Sequence, residues 1–256
     1  MTHYEEYTRE ELRAITPQAL VVLPVGATEQ HGPHLPVGVD TYAVTHIAHA
    51  AAEALAGQIP VLVAPTLPYG SSHHHLPFGG TLSISTETYL RTVGDLVESL
   101  IVGGFRRIFI LNGHGGNNEL IQLVARDMAL RHPANIAAAS YWSIAWDGLI
   151  AIDAHRQGGL PGHAGLFETS LMLALHPALI REPRPHRDDP GSTDPRGAVP
   201  YRTELHGAWQ RINGYTDSPD LASAERGERY LGVIVQEVAH AFSAFHQQAS
   251  ATSEVV

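Results

Sequence analysis

Four short apolar runs alternate with segments of helical period, and this alternation limits the fold more than any other feature. The runs are "ALVVLPV" at residues 19–25, "VLVAPTL" at 61–67, "RIFILNG" at 107–113 and "NIAAASYW" at 135–142. Each is long enough for one buried strand. A helix is predicted just after Asp40, ending at Gly57. A second opens on a capping pattern, Ser85 or Thr86 followed by acids, and stops at Gly103 and Gly104. A third covers 117–132, a shorter one 167–177, and a long one 222–245. Strands that alternate with helices pair in parallel through right-handed crossovers. The expected fold class is therefore α/β: a single domain with a mainly parallel sheet flanked by helices. With 256 residues, 44% of them apolar, the chain can bury one sizeable core. Residues 181–219 are rich in Pro, Gly, Arg and Asp and read as a long surface excursion over a site or an interface. The last ten residues are expected to fray.

Composition removes several functions. No apolar run approaches ~18 residues, so no membrane span is expected. The charged start, "MTHYEEYTREELRA", resembles neither a secretory signal nor a transit peptide, and the cytoplasm is the expected compartment. There are no cysteines, which excludes disulfides, thiolate nucleophiles and cysteine zinc sites. The formal charge is −10, and the one basic cluster, "REPRPHRDD", carries its own acids, so nucleic acid is not an expected partner. Histidine is the unusual total: 17 of them, against 16 Lys and Arg together. Histidine is the commonest metal ligand and titrates near neutrality.

The chemistry-bearing residues fall directly after predicted strands. "GATEQHGPHLPVGVD" follows the first, "PYGSSHHHLPFGGT" the second and "NGHGGNN" the third. In open parallel sheets ligands bind beyond the carboxyl ends of the strands, so these loops converge on one composite site. "GHAGLFETS" can join it at the start of a helix. Divalent ions such as zinc take His nitrogen and carboxylate oxygen, and a bridging carboxylate can join two of them. Glu29, His31, Asp40, His114 and Glu168 suffice for two ions. Other readings stay open at this level. "NGHGGN" could be a turn or a phosphate-cradling nest of N–H groups, and His73 reads as an exposed polar residue. The chain could also be a metal-binding scaffold without activity.

Taken together, "PVGATEQHGPHLPVGVD", "YGSSHHHLPFGGTLSI", "LNGHGGN", "GHAGLFETSLMLALHP" and "INGYTDSPDLASAERGERYL" resemble the creatininase family, in the family's order and over residues 19–244. The resemblance implies an α/β fold, two divalent ions per subunit (zinc, manganese or iron), and hydrolysis of C–N bonds other than peptide bonds. It implies a small-molecule substrate and a homo-oligomer, usually a hexamer. By position, Glu29 and His31 would bind different ions, Asp40 would bridge them, and His114 would complete one side. Glu168 would serve the second ion and the catalysis. His163 would stand near the scissile bond, and Ser72 and His75 would contact substrate. The chain departs from the creatinine hydrolases at Gly116, where they carry a Glu, and in "GGLPGHAG", which lacks their Trp and acid. The aromatic lid is thus expected to be absent, unless Trp142 or Trp146 replaces it. The departures point away from creatinine and toward another small cyclic amide, a formamide, a peptide end or a keto-sugar ring.

Overall fold

Strand β1 (Leu20–Val25) is buried along all six residues, and its side chains divide between two cores. The computed structural model describes residues 2–188 and 204–252. Leu20 and Val22 face one core, together with Val61 and Val63 of β2 (Val61–Val63) and Phe109 and Leu111 of β3 (Arg107–Asn112). Val21, Leu23, Leu62, Ile108 and Ile110 face the other. Alternate side chains of a strand point to opposite faces, so a sheet covered on both sides reads as an unbroken apolar run. That is why these strands were legible as continuous hydrophobic stretches.

The strand order is β2-β1-β3-β4, all parallel, with β4 spanning Asn135–Ser140. Helix α2 (Val39–Ala54) joins β1 to β2 and packs on the first core, against α9 (Ala224–Thr252). Helices α3 (Thr86–Val102) and α4 (Asn118–Arg131) carry the next two crossovers and pack on the second core. The chain leaves β1 in one direction for β2 and then returns to its other side for β3. The order therefore reverses between β1 and β3, which is where such sheets open a crevice at their carboxyl edge.

Several boundaries differ from the sequence reading. An additional helix, α1 (Arg9–Ile15), precedes β1, opened by a capping box between Thr8 and Glu11. Strand β2 ends at Val63, although Leu67 still bridges to Val25. Tyr141 and Trp142 belong to α5 (Tyr141–Ile144) rather than to the fourth strand, and α6 (Trp146–Ala151) follows. Helix α7 spans Leu166–Leu175. Helix α9 runs on to Thr252 instead of fraying at 247; residues 253–256 lie outside the described residues. Within the excursion, 189–203 also lie outside the described residues. Its described part holds the short α8 (Ala208–Arg211) and is pinned by arginines. Arg187 sits 4.4 Å from the Tyr215 ring centre and donates to the Tyr215 carbonyl at 3.1 Å, and Arg184 donates to the Ala222 carbonyl at 2.8 Å.

Helices α7 and α9 approach so closely at Gly227 that an added Cβ would overlap the Ser170 carbonyl. Alanine gains about 1 kcal/mol over glycine in helix propensity. A methyl forced against a backbone carbonyl costs about 1–3 kcal/mol. Gly227→Ala should therefore destabilise the protein despite improving the helix, with the denaturation midpoint as the readout. A midpoint that rises would show that the two helices part without cost.

Candidate metal centre

The crevice between β1 and β3 is fastened by two asparagines. Asn112, at the end of β3, donates to the His114 carbonyl at 2.7 Å and accepts from the His114 N–H at 3.0 Å. Asn117 donates to the Gly26 carbonyl at 3.1 Å and accepts from the Ser71 N–H at 3.0 Å. One buried amide thus ties together the loops that follow β1, β2 and β3. The "NGHGGN" glycines allow this close packing, and the motif's asparagines serve as fasteners rather than as a phosphate nest.

Seven acid and imidazole side chains from four chain segments meet there. Glu29, His31, His75, His114 and Asp40 are no more than 3% exposed, and Glu168 and His163 are 6% and 7% exposed. Asp40 lies in the first turn of α2, and Glu168 in the first turn of α7. Two groups of donor atoms share no member. In one, His31, Asp40 and Glu168 offer atoms within 4.8 Å of one another; in the other, Glu29, His74 and His114 do. Asp40 spans both: its Oδ1 is 3.1 Å from His31 Nε2 and its Oδ2 is 3.2 Å from His114 Nδ1. A third grouping, Glu29, His31 and His163, overlaps the other two.

Backbone carbonyls set the tautomers. His31 Nδ1–H donates to the Glu29 carbonyl at 3.1 Å, which turns Nε2 toward the acids. His114 Nε2–H donates to the Ser71 carbonyl at 3.2 Å, with the Ser72 hydroxyl at 3.1 Å, which turns Nδ1 toward Glu29 and Asp40. His163 Nε2–H donates to the Gln30 carbonyl at 2.9 Å, leaving its Nδ1 3.6 Å from Glu29 Oε1. Ring nitrogens fixed from behind in this way are the usual arrangement of metal-ligating histidines. Glu29 Oε2 is buried with no hydrogen-bond partner among the described residues. An unpaired buried carboxylate oxygen costs free energy that a cation would recover. Donors of this chemistry fit divalent ions.

The electrostatics point the same way. Burial by itself would push His31 down, but Asp40 and Glu168 outweigh it and raise the imidazole to about 10. His114 is also raised, against burial, by Glu29 and Asp40. Glu29 is held well below the usual carboxylate range despite its burial, chiefly by His114. Burial raises Glu168 to about 8, opposed by His31 and reinforced by Asp40. His75 and His163 behave oppositely to His31. Burial lowers His75 to about 3, against the pull of Glu29 and with the help of His74 and His31. Burial also lowers His163 well below its ordinary value, helped by His31 and His75. In the metal-free chain, protons on His31 and His114 supply the positive charge that the acids demand.

A fourth segment completes the wall. The His163 N–H donates to Thr216 Oγ1 at 2.9 Å, and the Thr216 N–H donates back to the His163 carbonyl at 2.9 Å. Asp217, fully buried, accepts from the N–H groups of Gly159 at 3.1 Å and Leu166 at 2.6 Å and from the Thr216 hydroxyl at 2.9 Å. A Cβ at Gly158, Gly162 or Gly165 would run into that carboxylate, so the loop carrying His163 is wrapped around it. The imidazoles of His31, His163 and His75 follow one another at centroid spacings of 4.4 and 4.3 Å. The Trp209 indole stands edge-on to His75 at 4.7 Å and to His163 at 5.3 Å.

The expected site residues Glu29, His31, Asp40, His114, Glu168, His163 and His75 all meet here. Ser72 is fully buried and its hydroxyl reaches the back of His114. Trp142 is placed elsewhere: it packs in the first core with its ring edge-on to Tyr141 at 4.9 Å. Its position at the end of a short strand, where the chain turns inward to form α5, buries it, and the aromatic over the imidazoles is Trp209. His73 is exposed as expected. His34 is buried, 2.9 Å from the Thr169 hydroxyl. Sequence reasoning assigned no role to His74, Gln30, Thr216, Asp217 or Trp209. The "NGYTDSP" stretch was noticed, but nothing in its spacing says which loop Asp217 braces.

Acids and imidazoles converging from strand-end loops on the crevice of a parallel sheet define an α/β protein with side-chain clusters able to hold divalent cations. The chain belongs to the creatininase family: residues 5–242 match the family described as creatinine amidohydrolase. It is 33% identical over 255 residues to the creatinine amidohydrolase of Pseudomonas putida, covering 93% of each chain. It is 31% identical over 245 residues to the mycofactocin precursor peptide peptidase of Mycobacterium tuberculosis, covering 90% of this chain and 86% of that one. A 3-dehydro-scyllo-inosose hydrolase of Thermotoga maritima is 31% identical over 210 residues, covering 77% of this chain and 62% of that one. A creatininase crystal structure superposes with a TM-score of 0.78 at 32% identity, covering 95% of this chain and 97% of that chain. A Zn-Zn type and a manganese creatininase each superpose at 0.77 with 31% identity, covering 94% and 96%.

Because His31 and His114 keep their protons well above neutrality, a cation bound at these nitrogens would have to displace them. Each displaced proton makes apparent affinity rise about tenfold per pH unit. Calorimetric titration of metal-free protein with zinc should show affinity climbing steeply from pH 6 to pH 8, with heats that depend on the buffer's ionisation enthalpy. An affinity that is flat across this range would place the zinc away from these histidines.

Proposed function

We propose that the chain is a binuclear metal-dependent amidohydrolase that opens a C–N bond in a small cyclic amide or formamide-like substrate. The observation that carries this reading is the pair of donor groups without a common member, joined by the two oxygens of Asp40. His31, Asp40 and Glu168 would hold one ion, and Glu29 and His114 the other, with Asp40 shared. Zinc or manganese suits such His and carboxylate donors. When bound, the ions would supply Lewis acidity, sharpening both the attacking water and the substrate carbonyl.

The surrounding residues handle protons and substrate. His163 is neutral, anchored through Nε2–H, and presents its Nδ1 lone pair to the site. It would take the proton given up by water and deliver it to the leaving nitrogen. Gln30 Nε2 donates to His75 Nδ1 at 2.9 Å, which leaves a proton on His75 Nε2, 3.7 Å from Glu29. That N–H would donate to a substrate carbonyl. Ser72 holds His114 in orientation from behind rather than touching substrate. Trp209 and the stacked imidazoles limit water around the reacting atoms.

A second reading, cleavage at a peptide end, draws support from the cavity of about 400 Å³ beside His31, lined in part by Leu35, Val37 and Phe78. An apolar side chain next to the scissile bond would fit it. The reading also draws support from the mycobacterial peptidase relative. Metal-reconstituted protein screened against lactams, formamides and short peptides separates the two readings, and turnover of none of them would overturn both.

Within the leading reading, Asp40→Ala should lose both ions together, from about two per chain to below one by elemental analysis. His163→Asn should keep its metal and lose about 10²–10⁴ in kcat with little change in KM. An Asp40→Ala protein that retains two ions and full turnover would refute the bridging assignment.

A further inference from the structure

We propose that His74 is a protein ligand of the cation held by Glu29 and His114, entering from the loop that follows β2. This inference rests on the metal-centre reading above and adds a donor to it. One nitrogen of His74 lies within 4.8 Å of donor atoms of both Glu29 and His114. Two donors on one zinc are at most about 4.2 Å apart, twice a Zn–N bond, so a small rotation of a surface-side imidazole closes the set. The His74 and His114 rings already lie nearly parallel, at 5° with centroids 6.0 Å apart.

Position 116 of the β3 loop offers this cation no second donor. Here a Cβ at Gly116 would collide with the Ser71 carbonyl and would stand 2.5 Å from His114 Nε2. With that backbone path no side chain at position 116 can reach the cation. His74 sits in the 3-10 turn His73–Phe78, on the loop that Asn117 draws against the β3 loop. It is half-buried, whereas Glu29 and His114 are closed off, so it approaches the cation from the open side of the site.

The added imidazole makes the two cation positions chemically unequal. Glu29, His114, His74 and one oxygen of Asp40 give two nitrogens and two oxygens. His31, Asp40 and Glu168 give one nitrogen and two carboxylates. Nitrogen-rich sites favour zinc and cobalt, while carboxylate-rich sites accept manganese. The Glu29 side should therefore fill with zinc or cobalt in the presence of excess manganese.

His74 also lies 5.6 Å from the Trp209 ring, so a purely stacking role is the competing explanation. His74→Phe preserves the ring and abolishes ligation, while His74→Asp does the reverse. The probe is cobalt(II), followed by its visible absorption and by ion counting after equilibrium dialysis. The parent should bind two cobalt ions, one with the strong absorption of a four-coordinate site. His74→Phe and His74→Ala should weaken one of the two by about 100-fold or more and lose that band, and His74→Asp should restore binding. The thermal melts of the metal-free variants should match the parent. Two ions bound by His74→Phe with parental affinity and spectrum would overturn the assignment of His74 alone. A parent chain that takes up no cobalt would overturn the metal-centre reading and this inference with it.

Discussion

Carboxylates crowded into a dry crevice are the constraint on which the rest of the molecule depends. Asp40 and Glu168 bring oxygens within 4.8 Å of each other. Were both ionised, like unit charges at that distance would repel by about 3 kcal/mol at an effective dielectric near 20, and Glu168 is already raised to about 8 by burial and by Asp40. Glu29 adds a third acid, 1% exposed. Such a set persists only where cations stand among its members. Those cations are the protonated imidazoles of His31 and His114, whose outward nitrogens donate to backbone carbonyls and whose inward nitrogens a metal ion could take over. The fold is arranged to withstand the cost: the acids come from different segments, and each is anchored by backbone that packs on a core on either side of the sheet.

The fastening is done by buried side chains outside the ligand set. Asn112 and Asn117 bind the three strand-end loops to one another, and Asp217 gathers the loop that carries His163. Each has hydrogen bonds from backbone donors or to backbone acceptors, so its partners are fixed by main-chain geometry. This explains the density of glycine near the site. Gly158, Gly162 and Gly165 yield their space to one carboxylate, and Gly116 yields its own to the Ser71 carbonyl. Rigidity here is built from small residues packed tightly around hydrogen-bonded side chains.

Much of this was legible in the sequence, for identifiable reasons. Strands buried on both faces announce themselves as apolar runs, and in a parallel sheet the loops after them share one edge. The positions of Glu29, His31, Asp40 and His114 followed from that topology. What failed was reading by residue type alone. Trp142 is a candidate lid from its residue type alone, but the backbone turns inward after Ser140 and buries it. Trp209 was passed over because residues 181–219 have no period to interpret, and its placement depends on Gly214 closing against Gln30 and on arginines gripping carbonyls. The asparagines of "NGHGGN" looked like turn formers because side-chain fastening between distant loops leaves no trace in local spacing. His74 was hidden in a run of three histidines whose members have different fates: one exposed, one at the rim and one buried.

The unequal treatment of the imidazoles has a chemical consequence. His163 and His75 stack at 4.3 Å, so a proton on one is repelled by any proton on the other. Both are also kept neutral by burial, and cations nearby would push them further in that direction. An imidazole with a strongly lowered pKa is a weak base and, once protonated, a strong acid. In the proposed reaction His163 could not draw a proton from bulk water at neutral pH. It could receive one only from a water whose own acidity is raised, and it would pass that proton on quickly to a basic leaving nitrogen.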